Sequence, residues 1–318
     1  MRLGLIGTRG HIGMLYPALA ALPQLQVTVY ARGGVDDDPG HILAALEQHG
    51  SRPRMVDDWQ EVVDDPAIDA LVVSGPYEAH GTICLRAINR GLPVLCEKPV
   101  AADLATLAAL EAAWQARPVL LTTMMSLRGQ GPFRAAQAAV AEGRIGPLRL
   151  IQAQKSYKLK RRPPWFCSRQ GSTGIFPWVG SHAFDLIRWC SGAEVLDLAA
   201  WHDIGDNRDH GDLEMTAACA CRLEGGILAT VTCDYLRPQA AASHEDDRLR
   251  LVGMDGIIEV RQHQALIQGG DGDQALVVQP DVDLVAAFCQ GRPLVPTEDV
   301  FAVTRTCLLA REQADDRS

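Results

Sequence analysis

A lysine between a carboxylate and a proline, Glu97-Lys98-Pro99, follows the strand-like run Gly91-Leu92-Pro93-Val94-Leu95-Cys96. At the start of the chain a glycine-rich turn, Gly7-Thr8-Arg9-Gly10-His11-Ile12-Gly13, leads from a strand into a helix. Glycines there let the backbone turn sharply and approach a pyrophosphate, and the following helix offers its positive end. A dinucleotide site built by the first turn, with a lysine brought to it later in the chain, suggests hydride chemistry with an acid/base lysine. The spacing G-x-x-G-x-x-G is one residue longer than the usual form, so Arg9 or His11 is expected to face the phosphates.

Strand two ends in Tyr30-Ala31-Arg32, with no carboxylate until Asp36. A carboxylate would repel a 2′-phosphate and an arginine would pair with it, so Arg32 points to NADP, with NAD as the alternative. Strand three ends in Ser74-Gly75-Pro76-Tyr77, with His80 just beyond, and a small proline-bearing turn there suits the nicotinamide ribose. Glu97 is expected to accept bonds from backbone N–H groups beside the cofactor. Further on, Tyr157 and Trp165 belong to the segment YKLKRRPPWF, whose aromatics and cations are candidates for the substrate side. His182 and Asp185, three apart on a short helix, share one face.

Composition narrows the classes. The chain has 318 residues, 47% of them hydrophobic, and a formal charge of -9, enough for two domains with cores of their own. That charge gives no field for phosphate backbones, so nucleic-acid binding is not expected. The cationic run Lys155 to Arg162 reads as a solvated strand end. No apolar stretch approaches the roughly 20 residues that span a bilayer. The first strand begins at the N-terminus with no leader-like segment, which predicts a cytoplasmic protein. Nine cysteines without a CxxC pair read as reduced, buried thiols. Neither the Cys219, Cys221 and Cys233 group nor the loop Asp206 to Asp212 has metal-site spacing.

The elements that position these residues change character along the chain. Residues 1–122 alternate short apolar runs with helical stretches, which predicts a doubly wound parallel sheet of Rossmann type. Residues 123–318 carry long strand-like segments up to Ile257–Gln262, with hairpin turns at Gly225-Gly226 and Asp255-Gly256. That predicts an α+β domain with a large, mostly antiparallel open sheet. Two helices, Asp281–Gln290 and Asp299–Glu312, close the second domain, and the tail Asp315–Ser318 frays.

The chain resembles the glucose–fructose oxidoreductase, inositol dehydrogenase and rhizopine catabolism family (Gfo/Idh/MocA) over essentially its whole length. The resemblance rests on the glycine turn, Gly75-Pro76-x-x-x-His80, Val94-Leu95-Cys96-Glu97-Lys98-Pro99 and Gly180-x-His182-x-x-Asp185-Leu186. It implies an NAD(P)-dependent oxidoreductase acting on a hydroxyl or carbonyl of a sugar, cyclitol or related small molecule, assembled as a homodimer or homotetramer. It assigns Lys98 to the reacting oxygen and the nicotinamide region, makes His182 the general acid/base, and implies a cis peptide before Pro99. Where the family usually has an aspartate, four residues before the histidine, this chain has Trp178. Tryptophan cannot orient an imidazole as a carboxylate does, but it can stack on a ring, so Trp178 joins the expected substrate contacts. Asp185, if it faces the substrate, would partly replace the missing carboxylate. Two other readings stay open: a dinucleotide-binding sensor or assembly protein without chemistry, and a redox-neutral enzyme with tightly held NAD.

Overall fold

The computed structural model describes every residue from 1 to 318 except Val35, Asp36, Gln262, Asp271 and Ser318. Asp36, the strand limit expected at Gln262 and the last residue of the tail therefore lie outside the described residues. The chain divides into two compact units, one of residues 1–124 and 283–304, the other of residues 125–282 and 305–318.

The first unit is a parallel sheet of β1 (Arg2–Ile6), β2 (Gln26–Ala31), β3 (Arg54–Val56), β4 (Ala70–Val73), β5 (Val94–Cys96) and β6 (Leu121–Thr123). Their order is β3-β2-β1-β4-β5-β6 and every pairing is parallel. The helices between them are α1 (Leu15–Ala21), α2 (Gly40–Gln48), α3 (Trp59–Asp64), α4 (His80–Arg90) and α5 (Leu104–Ala116). β4 and β5 are buried at every position, as strands covered on both faces must be. Sequence reading missed β3 and α3: β3 is a largely exposed edge strand without an apolar run, and the Asp58 cap of α3 precedes only six helical residues.

The second unit begins with α6 (Gly131–Ala141), followed by β7 (Leu148–Ser156), α7 (Arg169–Ser172) and α8 (Ser181–Ser191). β8 (Val195–Asp203), β9 (Thr216–Leu223), β10 (Leu228–Asp234), β11 (Arg248–Gly253), β12 (Ile257–Arg261), β13 (Gln264–Gly269) and β14 (Gly272–Ala275) complete the sheet. The strand order is β14-β13-β12-β11-β7-β10-β9-β8; β7 and β10 run parallel and the other pairs antiparallel. Strict alternation along β9 buries Ala217, Cys219, Cys221 and Leu223 and exposes the residues between them. The other face is mixed: Arg250 pairs with Glu259 across β11 and β12, while Trp201 of β8 and Leu228 of β10 lie exposed.

The chain then enters α9 (Leu284–Cys289) and α10 (Thr297–Asp315). The contiguous second domain read from the sequence is corrected here: residues 283–304 belong to the first unit. Leu284, Val285 and Phe288 of α9 join the cluster that contains Leu3, Leu19, Val27 and Met124.

Candidate active site

The glycine turn is stapled to the strand ends on either side of β1. The Gly7 N–H donates to the Ala31 carbonyl at 2.9 Å, and the Arg9 N–H donates to the Ser74 carbonyl at 2.7 Å. The Ser74 hydroxyl returns a bond to the Arg9 carbonyl. β1 and β4 are the neighbours at which the strand order reverses, the place where open α/β sheets bind ligands. Packing explains Gly10, because a Cβ there would stand 2.0 Å from Glu97 Oε1. Packing does not explain Gly13, where the nearest atom beyond its neighbours is a Tyr16 ring carbon at 3.8 Å. Both glycines are exposed, so the turn offers a bare backbone edge of the kind a pyrophosphate approaches. By this measure the residues fit a dinucleotide.

Glu97 joins this turn to the lysine. It is fully buried; Oε1 accepts the His11 backbone N–H at 2.7 Å and meets His11 Nδ1 at 2.6 Å, while Oε2 accepts the Lys98 N–H at 2.7 Å. Burial pushes its carboxyl up, but the charges of His11 and Lys98 and the bonds they donate outweigh this and bring it down to about 2. Lys98 itself is buried, and the Gly75–Pro76 and Lys98–Pro99 peptides are both cis. His80 is fully buried too, with Nδ1 2.8 Å from the Pro99 carbonyl. Burial lowers its pKa to about 4, so the ring is neutral and donates that bond. His80 thus holds the peptide that follows Lys98 and does not itself form an open cofactor surface.

Arg9 and His11, expected at the phosphates, are each held by a carboxylate. The Arg9 side chain is 8% exposed and its Nε donates to Asp37 Oδ1 at 2.9 Å; its stem lies against Gly75. The His11 ring is turned to Glu97. The absence of a carboxylate near the end of strand two is corrected as well. Asp37, 1% exposed at its side chain, folds back so that Oδ2 accepts the Gly33 N–H at 2.9 Å and the Thr8 N–H at 3.3 Å. Arg32 is exposed.

In the second unit a π-helical turn, Phe176–Gly180, runs directly into α8. It carries Trp178, half-buried, and leads to His182, which is fully buried. Asp185 lies three residues further along α8. Both of its oxygens accept from Arg128, at 2.7 to 3.1 Å, in a pair whose side chains are 2% and 1% exposed. Asp185, expected to face the substrate, is thus placed in an ion pair with Arg128, a residue that sequence reading passed over.

Trp178 packs edge-on against Phe166, with centroids 4.9 Å apart, and Trp165 lies 6.3 Å from it. Phe166 meets Tyr235, which stacks on Tyr157, which stacks on His244 at 5.1 Å. Arg162 lies over both Phe166 and Tyr235. Tyr157 is buried within this stack, where an open substrate contact was expected, while Trp165 and Trp178 keep exposed edges. Lys155 departs from the solvated run expected of it. Its ammonium is buried against Glu245 and Asp247, and these charges outweigh the effect of burial and raise its pKa. Among the described residues no three His, Cys, Asp or Glu side chains are grouped to hold a metal ion, and no helix is long and apolar enough to cross a membrane.

Comparison with known proteins agrees with this geometry. Residues 1–124 match the family model described as an oxidoreductase family with an NAD-binding Rossmann fold. Residues 133–259 match the GFO/IDH/MocA C-terminal domain. A solved Thermotoga maritima structure described as a candidate oxidoreductase is 32% identical, with a TM-score of 0.94, and the match covers 100% of this chain and 99% of that one. A myo-inositol 2-dehydrogenase of Thermotoga maritima is 25% identical over 86% of this chain and 80% of its own length. Levoglucosan dehydrogenase, solved with NADH and levoglucosan, has a TM-score of 0.83 over 100% of this chain and 98% of its own; at 17% identity it shows a shared fold alone. The chain belongs to the Gfo/Idh/MocA family of oxidoreductases, with an NAD-binding Rossmann fold.

Proposed function

We propose that this protein oxidises a hydroxyl, or reduces the matching carbonyl, of a sugar or cyclitol, with Lys98 and His182 as its catalytic residues. The observation that carries the reading is the Glu97 carboxylate, which binds the glycine turn and the Lys98 peptide at once. A lysine fixed to the same carboxylate as the dinucleotide turn is placed to serve chemistry at the cofactor. When bound, the nicotinamide supplies hydride transfer. The Lys98 ammonium would hold the substrate oxygen and stabilise charge developing there. His182 would take the hydroxyl proton during oxidation and return it during reduction. Gly10, Ile12 and Gly13 would present backbone to the pyrophosphate, beside Ser74, Gly75 and Pro76. The relatives named as inositol dehydrogenases make myo-inositol the first substrate to try.

For the cofactor, Arg32 favours NADP and Asp37 favours NAD. Asp37 is bonded to the turn itself but its side chain is 1% exposed, so the family model, described as NAD-binding, carries the choice. The reading is therefore NAD, with NADP second. A homodimer or homotetramer joined through the second unit is consistent with the open sheet, which leaves Trp201 and Leu228 exposed. All nine cysteines are free, which suits a reducing compartment such as the cytoplasm.

The test is Lys98→Ala with myo-inositol and NAD. Turnover should fall about 10² to 10⁴-fold, the usual range for a lost acid/base group, with nucleotide affinity nearly unchanged. Equal loss of turnover and nucleotide affinity would make Lys98 a cofactor clamp and overturn its catalytic role.

A further inference from the structure

The second unit contains a cavity of about 590 Å³ bordered by Phe133 at the start of α6 and by Arg237, His244, Glu245 and Asp247 of the loop after β10. That volume lies within the roughly 300–1,000 Å³ of small-molecule sites. Behind its wall sits the buried Lys155, 2.9 Å from Glu245, in contact with Asp247 and 4.9 Å from the centre of the Tyr157 ring. Two polar atoms of the wall are buried and have no hydrogen-bond partner among the described residues: Asp247 Oδ1 and His244 Nδ1. Native proteins rarely leave such atoms unsatisfied, so both side chains keep hydrogen-bonding capacity for a ligand in the cavity they border.

The chemistry of the two atoms narrows those contents. A carboxylate oxygen needs a donor, and an imidazole nitrogen takes either role. A hydroxyl can donate to the first and either accept from or donate to the second. Lys155 is shared between Asp247 and Glu245, and a neutral hydroxyl donor suits the Asp247 oxygen that it leaves unpaired. Burial nevertheless holds Asp247 at about 6, and a hydroxyl donated to it would favour its ionised form. Phe133, Pro132 and Val260 add an apolar side to the lining, which suits the C–H face of a ring.

We propose that Asp247 and His244 form a hydroxyl-reading site for a polyhydroxylated ligand. The inference rests on the substrate class proposed above and deepens it. The cavity wall is tied by continuous ring contacts, from His244 through Tyr157, Tyr235 and Phe166, to Trp178, which stands where the family usually has its aspartate.

The test is calorimetric titration of the full chain with myo-inositol at saturating NADH, beside an oxidation assay with NAD. Wild type should bind, and Asp247→Asn and His244→Phe should each weaken binding at least tenfold without changing NADH affinity, and His244→Phe should leave Tm unchanged. His244→Phe keeps a ring on Tyr157 and leaves Lys155 paired, so it reports even if Asp247→Asn disturbs folding. Equal binding by wild type and His244→Phe means that water alone completes these atoms, and the inference falls while oxidation stands. Binding that the variants lose, without oxidation by wild type, keeps the site and overturns the proposed reaction. Neither binding nor oxidation of myo-inositol or D-glucose overturns both.

Discussion

The surroundings of Glu97 and those of His182 are built in opposite ways. Around Glu97 the fixed partners are mostly backbone: the N–H groups of His11 and Lys98 meet its carboxylate, and Gly7, Arg9 and Ser74 are stapled main chain to main chain. Around His182 the frame is made of side chains: Arg128 against Asp185, and a train of rings from Trp178 to His244. Backbone bonds survive changes of most side chains, so the nucleotide turn can stay constant while other positions vary. A side-chain frame changes with each substitution, and that is where Trp178 has replaced the family's usual aspartate. On the proposed reading, cofactor geometry belongs to the first region and substrate choice to the second.

The largest effect that tests this contrast is on the Arg128–Asp185 pair. Asp185→Asn leaves a guanidinium buried beside a neutral amide, and breaking a buried pair on one side costs about 3–5 kcal/mol. Chemical denaturation should show a loss of that order, and the double replacement Asp185→Leu with Arg128→Met should recover much of it. Unchanged stability with lost turnover would mean that Asp185 faces the substrate, and the frame described for the second region would be wrong.

Glu97→Gln tests the first region, with an effect of somewhat smaller size. The folded carboxyl titrates at about 2, below its ordinary value of 4.5. The folded state therefore prefers the ionised form. Its contribution is present in full above about pH 4.5 and is lost as pH falls toward 2. The difference corresponds to roughly 3 kcal/mol by linkage. Urea unfolding at pH 7 should show a loss of that order in Glu97→Gln, and the decline of stability between pH 4.5 and 2 should be shallower than in wild type. An unchanged acid limb would show that Glu97 acts by shape and not by charge.

The same contrast explains what the sequence made legible. The glycine turn and Glu97-Lys98-Pro99 are contiguous and sit at the ends of fully buried parallel strands, so local pattern located both. Asp37 was missed because it lies in the acidic run Asp36-Asp37-Asp38, and only the fold of the chain beyond Gly33 decides which carboxylate turns inward. Lys155 was read as solvated because its partners, Glu245 and Asp247, lie some 90 residues further along. Arg128 and Asp185 are 57 residues apart, and neither carries a local signal of the other. α9 is apolar in a way that suits either core, so its packing with the first unit was not readable from periodicity. The local rule holds for sites made by backbone at strand ends and fails for sites made by side chains that meet over long separations.

Asp37 gives the smallest effect and the sharpest division, because it is the side-chain element within a backbone-built region. If its carboxylate reads the adenosine ribose, wild type should bind NADH more tightly than NADPH. Asp37→Ser should then narrow that preference by about tenfold, or roughly 1.4 kcal/mol. Arg32→Ala should change NADPH affinity less than about twofold, since an exposed arginine gains little from a screened phosphate. Titration of nucleotide-free protein with both dinucleotides measures all three. The opposite result, with NADPH affinity falling tenfold in Arg32→Ala and Asp37→Ser leaving the preference unchanged, would restore Arg32 as the selector. Asp37 would then be a scaffold carboxylate for Arg9, like Glu97 for His11, and the first region would hold its cofactor with no discriminating side chain of its own other than one on the surface.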